Sequence, residues 1–170
     1  MRVWRIARRQ YQALDGEGAR LNGGRWNPAG IPVVYTSQSL SLAALELLVH
    51  VEPLLAPIDL VASEIDVPET DGLGARVTVG QFPPGNWRDY PAQEWQAELG
   101  TMWVADAAFL WLAVPSAIVP QEYNVLLNPR HAAMARVKVV STRPFAFDGT
   151  GHTSSSIAKK TVRTSASRCS

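Results

Sequence analysis

Gly23-Gly24-Arg25-Trp26-Asn27-Pro28, then Ile31-Pro32-Val33-Val34-Tyr35-Thr36, then the apolar run from Leu40 to Val51, set the reading of this chain. They give a loop, a strand and a helix in immediate succession. Paired glycines let the backbone turn tightly beside an arginine. A short run rich in β-branched residues is the signature of a buried strand. Leu40, Leu42, Ala43, Ala44, Leu45, Leu47, Leu48 and Val49 surround the helix axis instead of forming one stripe, which predicts a largely buried helix. Ser37 and Ser39 are its candidate N-caps, and Pro53 and Pro57 end it.

Working outward, Val3 to Ile6 alternates apolar and basic, as a short half-buried strand does. Asp15 to Gly30 holds five glycines and reads as a loop. Leu60–Val67, Ala108–Val114 and Val137–Ser141 are strand candidates, and Pro91–Ala108 a helix. Glu122–Leu127 fits a short strand or a loop. Strands mixed with helices, without regular βαβ alternation, predict an α+β fold.

The chain has 170 residues, 46% hydrophobic and 18% charged, enough for one globular domain with a real core. Its expected extent is residues 1–148. Residues 149–170 are rich in Ser and Thr, carry Lys159, Lys160, Arg163 and Arg168 without an acid, and are expected to be a disordered tail. The remaining body is weakly acidic, which argues against direct nucleic-acid binding. Cys169 stands alone, and His50, His131 and His152 are scattered, so no metal site is expected. The N-terminus lacks a signal-peptide core, and no run is apolar enough to span a membrane. A cytoplasmic protein is the expectation.

Gly16-Glu17-Gly18 begins like a dinucleotide loop but has Leu21 where a third glycine belongs, and no phosphate-loop motif occurs. A nucleotide would have to be held another way. Arg25 offers a planar fork of donors suited to a diphosphate, or it pairs structurally with a carboxylate. Glu46 lies among apolar neighbours at 42, 43, 47 and 49, where a carboxylate is costly unless paired or facing a cleft. Facing a cleft, it could stabilise a sugar oxocarbenium ion; paired, it would meet His50 or Arg25. Tyr35 ends its strand and can either stack on a heterocycle or pack the core. Ser116, after Val114-Pro115, could bond a carboxamide or cap a turn, and it lacks the Gly-x-Ser-x-Gly surroundings of a nucleophile. Asn124 and Asn128-Pro129 are placed to fix loops nearby.

In this order, Gly18-Ala19-Arg20, Gly23 to Asn27, Val34-Tyr35-Thr36-Ser37, the Leu42–His50 helix, Val114-Pro115-Ser116 and Asn124 through His131 resemble RES-domain proteins, from Arg2 to about Asp148. The resemblance implies an ADP-ribosyltransferase-like fold with a split, mixed sheet around an NAD⁺ cleft. It also implies a toxin that consumes NAD⁺ as substrate by hydrolysis or phosphorolysis, or that transfers ADP-ribose to a protein. The implied partner is an Xre-type helix-turn-helix antitoxin, with a toxin homodimer inside the complex. A non-catalytic antitoxin-binding module is the third reading. Carried over by position, Arg25 holds the diphosphate, Tyr35 stacks near nicotinamide, Glu46 acts on the nicotinamide ribose and Ser116 contacts the carboxamide. Tyr11, Arg20 and Asn124 are further candidates for the cleft. The chain departs from the family's usual ending: Phe147-Asp148 is followed by Gly149-Thr150 instead of Arg-Leu.

Overall fold

The computed structural model describes residues 1–50 and 59–147. In chain order it holds β1 (Arg2–Arg8), α1 (Glu17–Asn22), β2 (Val34–Ser37), α2 (Leu40–His50), β3 (Leu60–Asp66), β4 (Gly74–Arg76), α3 (Glu94–Asp106), β5 (Trp111–Pro115), β6 (Tyr123–Leu127) and β7 (Lys138–Pro144). The fold is α+β. Seven strands form one mixed sheet in the order β4-β5-β6-β2-β1-β3-β7, with β4 and β5 parallel and the other neighbours antiparallel.

The sheet is nearly two sheets. β1 pairs with β3 along its whole length, and β2 pairs with β6 along all of its own. Between β1 and β2 a single register pair remains, Trp4 with Ser37. Backbone groups beyond that pair must find other partners, because an orphaned buried polar group costs about as much as a lost hydrogen bond. Arg5 supplies one: its Nη1 donates to the Tyr35 carbonyl at 3.0 Å. A side chain thus bonds across the seam where a strand backbone otherwise would.

Strand alternation gives each face of the sheet its own core. Val3, Val34, Ile65, Val125 and Leu127 pack with Leu110 on one side. Val33, Leu112, Val114 and Leu126 pack with Trp26, Trp103 and Val104 on the other. α3 covers the second face, and its Gly100 is what lets it approach: a Cβ there would sit 1.7 Å from the Trp26 carbonyl oxygen.

Three expectations change in the structure. The glycine-rich segment is not one continuous loop, because α1 lies within it. Gly16 and Gly23, both at positive φ, bracket the helix Glu17–Asn22, so these glycines mark its ends. α2 is not largely buried. It rests on β1 and β2 through Leu42 and Ala43, while no described element covers its outer side, and Leu45, Leu48 and Val49 are exposed. Residues 123–127, open between strand and loop, form a full strand joining β2 to β5. The expected helix stop at Pro53 and Pro57 and the tail 149–170 lie outside the described residues.

Candidate active site

A cleft of about 400 Å³ opens at the seam between β1 and β2. Its size is ordinary for a small-molecule site, about 300–1,000 Å³. Strand β1 contributes Trp4 to Arg8, β2 contributes Tyr35 to Ser37, the loop after α1 contributes Gly23 to Trp26, and α2 contributes Glu46 and Leu47. Arg25, Tyr35 and Glu46, carried by a loop, a strand and a helix, converge there.

Glu46 is the one carboxylate among the described lining residues, and Arg5, Arg8 and Arg25 are the cations. Its Oε1 accepts from the Ser116 hydroxyl at 2.8 Å and from the Asn124 amide. Asn124 is itself oriented by Ser37, whose hydroxyl donates to Asn124 Oδ1 at 2.7 Å. These contacts fix the carboxylate against the end of the β5–β6 pair. Oε2 has no hydrogen bond to a described residue.

Ser116 is fully buried and does not line the cleft. Besides donating to Glu46, its Oγ accepts from the Ile118 and Val119 amides at 3.1 and 3.0 Å. The hydroxyl thus closes the turn after β5 and aims Glu46.

Tyr35 is equally committed. Its hydroxyl donates to Asn27 Oδ1 at 2.7 Å and accepts from the Trp26 amide at 3.0 Å. Asn27 in turn donates to the Ala19, Pro28 and Ile31 carbonyls. A Cβ on Gly24 would lie 2.6 Å from the Tyr35 oxygen, so the loop can close on the tyrosine only with glycine there. Burial pushes the Tyr35 hydroxyl far above its ordinary pKa, partly offset by the Trp26 amide and the charge of Arg25. Tyr35 is a neutral hydroxyl that pins the Gly24–Asn27 loop, with its ring at the cleft wall.

Arg25 donates from Nη1 to the Trp87 and Asp89 carbonyls at 2.9 and 3.2 Å and to Gln96 Oε1 at 3.3 Å, and from Nη2 to the Arg88 carbonyl at 3.4 Å. Burial lowers its pKa, and the charge of Glu46 pushes it back up. Arg25 and Glu46 thus feel each other across the cleft without forming an ion pair. The anchor beneath is aromatic: Trp26, Phe82, Trp87 and Trp95 pack tilted or edge-on with centroids 5.0–6.0 Å apart.

Arg5 escaped the reading of the sequence. Its largely buried guanidinium bonds the Tyr35 and Tyr11 carbonyls, and its Nε has no partner. Burial lowers its pKa, opposed by Asp15 at longer range. A buried cation without a bonded carboxylate at a cleft is suited to an anionic ligand. The signal was present: in a strand, Arg5 shares a face with Val3, so the alternation places it inward. Tyr11 lines the cleft and packs over Gly18. Arg20 does not line it; exposed, it pairs with Glu17 at 2.7 Å. Asn128 bonds the Val104 carbonyl, tying β6 to α3, and stands away from the cleft.

Among the described residues no group of three or more His, Cys, Asp and Glu is arranged to hold a metal, and no helix is long and apolar enough to cross a membrane. Comparison with known proteins gives one answer. The chain is 39% identical over 150 residues to the Prs ADP-ribosylating toxin of Sphingobium sp. (strain YBL2), covering 85% of this chain and 92% of that protein. It is 37% identical over 151 residues to Toxin Res of Yersinia enterocolitica, covering 87% and 97%. Its fold is similar to a chain in the crystal structure of the M. tuberculosis MbcT–MbcA toxin–antitoxin complex, with a TM-score of 0.66 at 20% identity over 85% of this chain and 84% of that one. The family model described as the RES domain matches residues 2–148, and the chain belongs to the RES-domain family.

Proposed function

We propose that this chain is the toxin of a toxin–antitoxin pair and cleaves the nicotinamide–ribose bond of NAD⁺. The observation that carries the proposal is Glu46: a single carboxylate, aimed by two donors on one oxygen, in a cleft whose other charged side chains are arginines. A dinucleotide brings a diphosphate, which matches Arg5 and Arg25. It also brings a ribose whose C1′ becomes cationic as nicotinamide leaves. Nicotinamide departs as a neutral base with the bonding electron pair, so no acid is needed to protonate it. Glu46 stabilises the oxocarbenium charge electrostatically. That is why one carboxylate suffices where ordinary glycosidases use two. Water or phosphate then attacks C1′ and sheds its proton to solvent.

The second reading keeps the same first step and gives ADP-ribose to a protein. It is favoured by the name of the Sphingobium relative, an ADP-ribosylating toxin. The toxin assignment rests on the named relatives, and an antitoxin partner on the complex in which the similar fold was solved. An Xre-type antitoxin and toxin dimerisation follow only from the resemblance, as does a cytoplasmic location.

The test is chromatography of NAD⁺ products from the purified full chain, with and without phosphate. Nicotinamide release is expected. Glu46→Gln keeps an oxygen for Ser116 but loses the charge, and is expected to slow release by about 10²–10³. Intact NAD⁺ after long incubation with concentrated protein, with no label transferred to a protein either, would sink the proposal.

A further inference from the structure

Arg88 lies in the segment before α3, is exposed, and does not line the cleft. Its backbone is held firmly. Arg25 grips the carbonyls of residues 87, 88 and 89, and Gln96 Nε2 adds a second bond to the Trp87 carbonyl at 3.1 Å. Gln96 is fully buried and Trp87 nearly so, so this segment is fixed to α3. From that footing the Arg88 side chain reaches across to the turn after β5. Its Nε donates to the Ala117 carbonyl at 2.6 Å and its Nη2 approaches the Ile118 carbonyl at 3.4 Å. The same turn presents the Ile118 and Val119 amides to Ser116 Oγ, which donates to Glu46.

The bonds form one path: Arg25, the 87–89 backbone, the Arg88 side chain, the 117–118 backbone, Ser116, Glu46. We propose that Arg88 is a positioning residue for Glu46, acting through the Ser116 turn and never touching substrate. The turn's outward carbonyls are bound by a guanidinium while its inward amides are bound by Ser116. A turn held from both sides keeps the serine rotamer, and with it the carboxylate, in one place. Without Arg88 the Ala117 and Ile118 carbonyls are left to water, and the turn keeps only the Ser116 hydroxyl bonds and the backbone pairs of Glu122 with Ser116 and Val119. Arg25 thereby gains a second task beside its charge in the cleft, because it anchors the segment from which Arg88 reaches.

This inference rests on the NAD⁺-cleaving reading for its kinetic consequence but not for its structural one, so two measurements decide it. The first is nicotinamide release by the full chain carrying Arg88→Ala, Arg88→Lys, Ser116→Ala and the Arg88→Ala/Ser116→Ala pair. Displacing a catalytic group slightly is enough to cost about tenfold or more in turnover. Arg88→Ala is expected to lose about that in kcat with KM within about threefold, and Arg88→Lys, which keeps the charge but only one donor nitrogen, to recover part of it. In the Ser116→Ala background Arg88→Ala should add less than about twofold, since its route to Glu46 is already cut. Multiplying losses, a loss confined to KM, or kinetics unchanged in Arg88→Ala would overturn the assignment.

The second measurement needs no turnover: amide hydrogen exchange at Ile118 and Val119. Exchange about tenfold faster in Arg88→Ala than in the parent chain is expected. Unchanged exchange there refutes the positioning role even if NAD⁺ is cleaved. If the parent chain leaves NAD⁺ intact, the functional reading fails, and the exchange result alone decides whether Arg88 holds the turn.

Discussion

Replacing Tyr35 with Phe removes one oxygen and leaves the ring. In the folded chain that oxygen serves two buried groups, the Trp26 amide at 3.0 Å and Asn27 Oδ1 at 2.7 Å. Neither has another hydrogen-bond partner among the described residues, and Trp26 and Asn27 are 2% and 1% exposed. Phenylalanine fills the same volume, so no cavity term arises. The cost is one orphaned donor and one orphaned acceptor, each about 1–3 kcal/mol. The expected loss is therefore about 3 kcal/mol, which for a domain of this size lowers Tm by on the order of 10 °C. Denaturant unfolding of the parent and Tyr35→Phe chains measures it, with an unchanged m-value showing that the fold itself is kept. Turnover should fall as well, because the loop carrying Arg25 loses its pin. A stability change below about 0.5 kcal/mol would refute the reasoning. It would mean that the hydroxyl does not hold the loop.

Two further expectations follow from the same geometry. Gly100→Ala places a methyl group 1.7 Å from the Trp26 carbonyl, so α3 must move away from the arginine loop; a loss of about 3 kcal/mol or more, or no soluble protein, is expected, and expression with thermal melting checks it. Alkaline pH should weaken the fold through Tyr35. Its folded pKa is raised by burial, so the unfolded chain releases the proton first; the stability it contributes is whole below about pH 10 and declines as pH rises beyond that. The decline should be shallower in Tyr35→Phe, as pH-dependent denaturation would show.

Much of this protein can be read from local pattern. Whereas the grouping of Tyr35 with Arg25 and Glu46 comes mostly from the family resemblance, the α+β class, β2, and the presence of α2 and α3 follow from composition, periodicity and the order of motifs. Those properties depend on residues within a few positions of each other. Glu46 was conspicuous because an acid between Leu45 and Leu47 needs a reason. What local pattern missed is instructive in each case. The glycines at 16 and 23 looked like one loop, because a helix of six residues has too little periodicity to compete with glycine's loop signal. α2 looked buried because all-round apolarity shows that a helix can be covered but not what covers it.

The chemistry of the site divides along the same line. Sequence alone determined which residue types are present: a carboxylate in an apolar helix, an arginine beside paired glycines, a serine after an apolar strand. Tertiary structure alone decided what each of them faces. It put the Ser116 hydroxyl against Glu46, bonded the Tyr35 hydroxyl to the Gly24–Asn27 loop, set Arg20 on the surface and brought Arg5 into the cleft. The reason is physical. The Ser116–Glu46 and Arg5–Tyr35 bonds join segments distant in sequence, and the near-break in the sheet, where β1 and β2 keep only the Trp4–Ser37 pair, decides which segments meet.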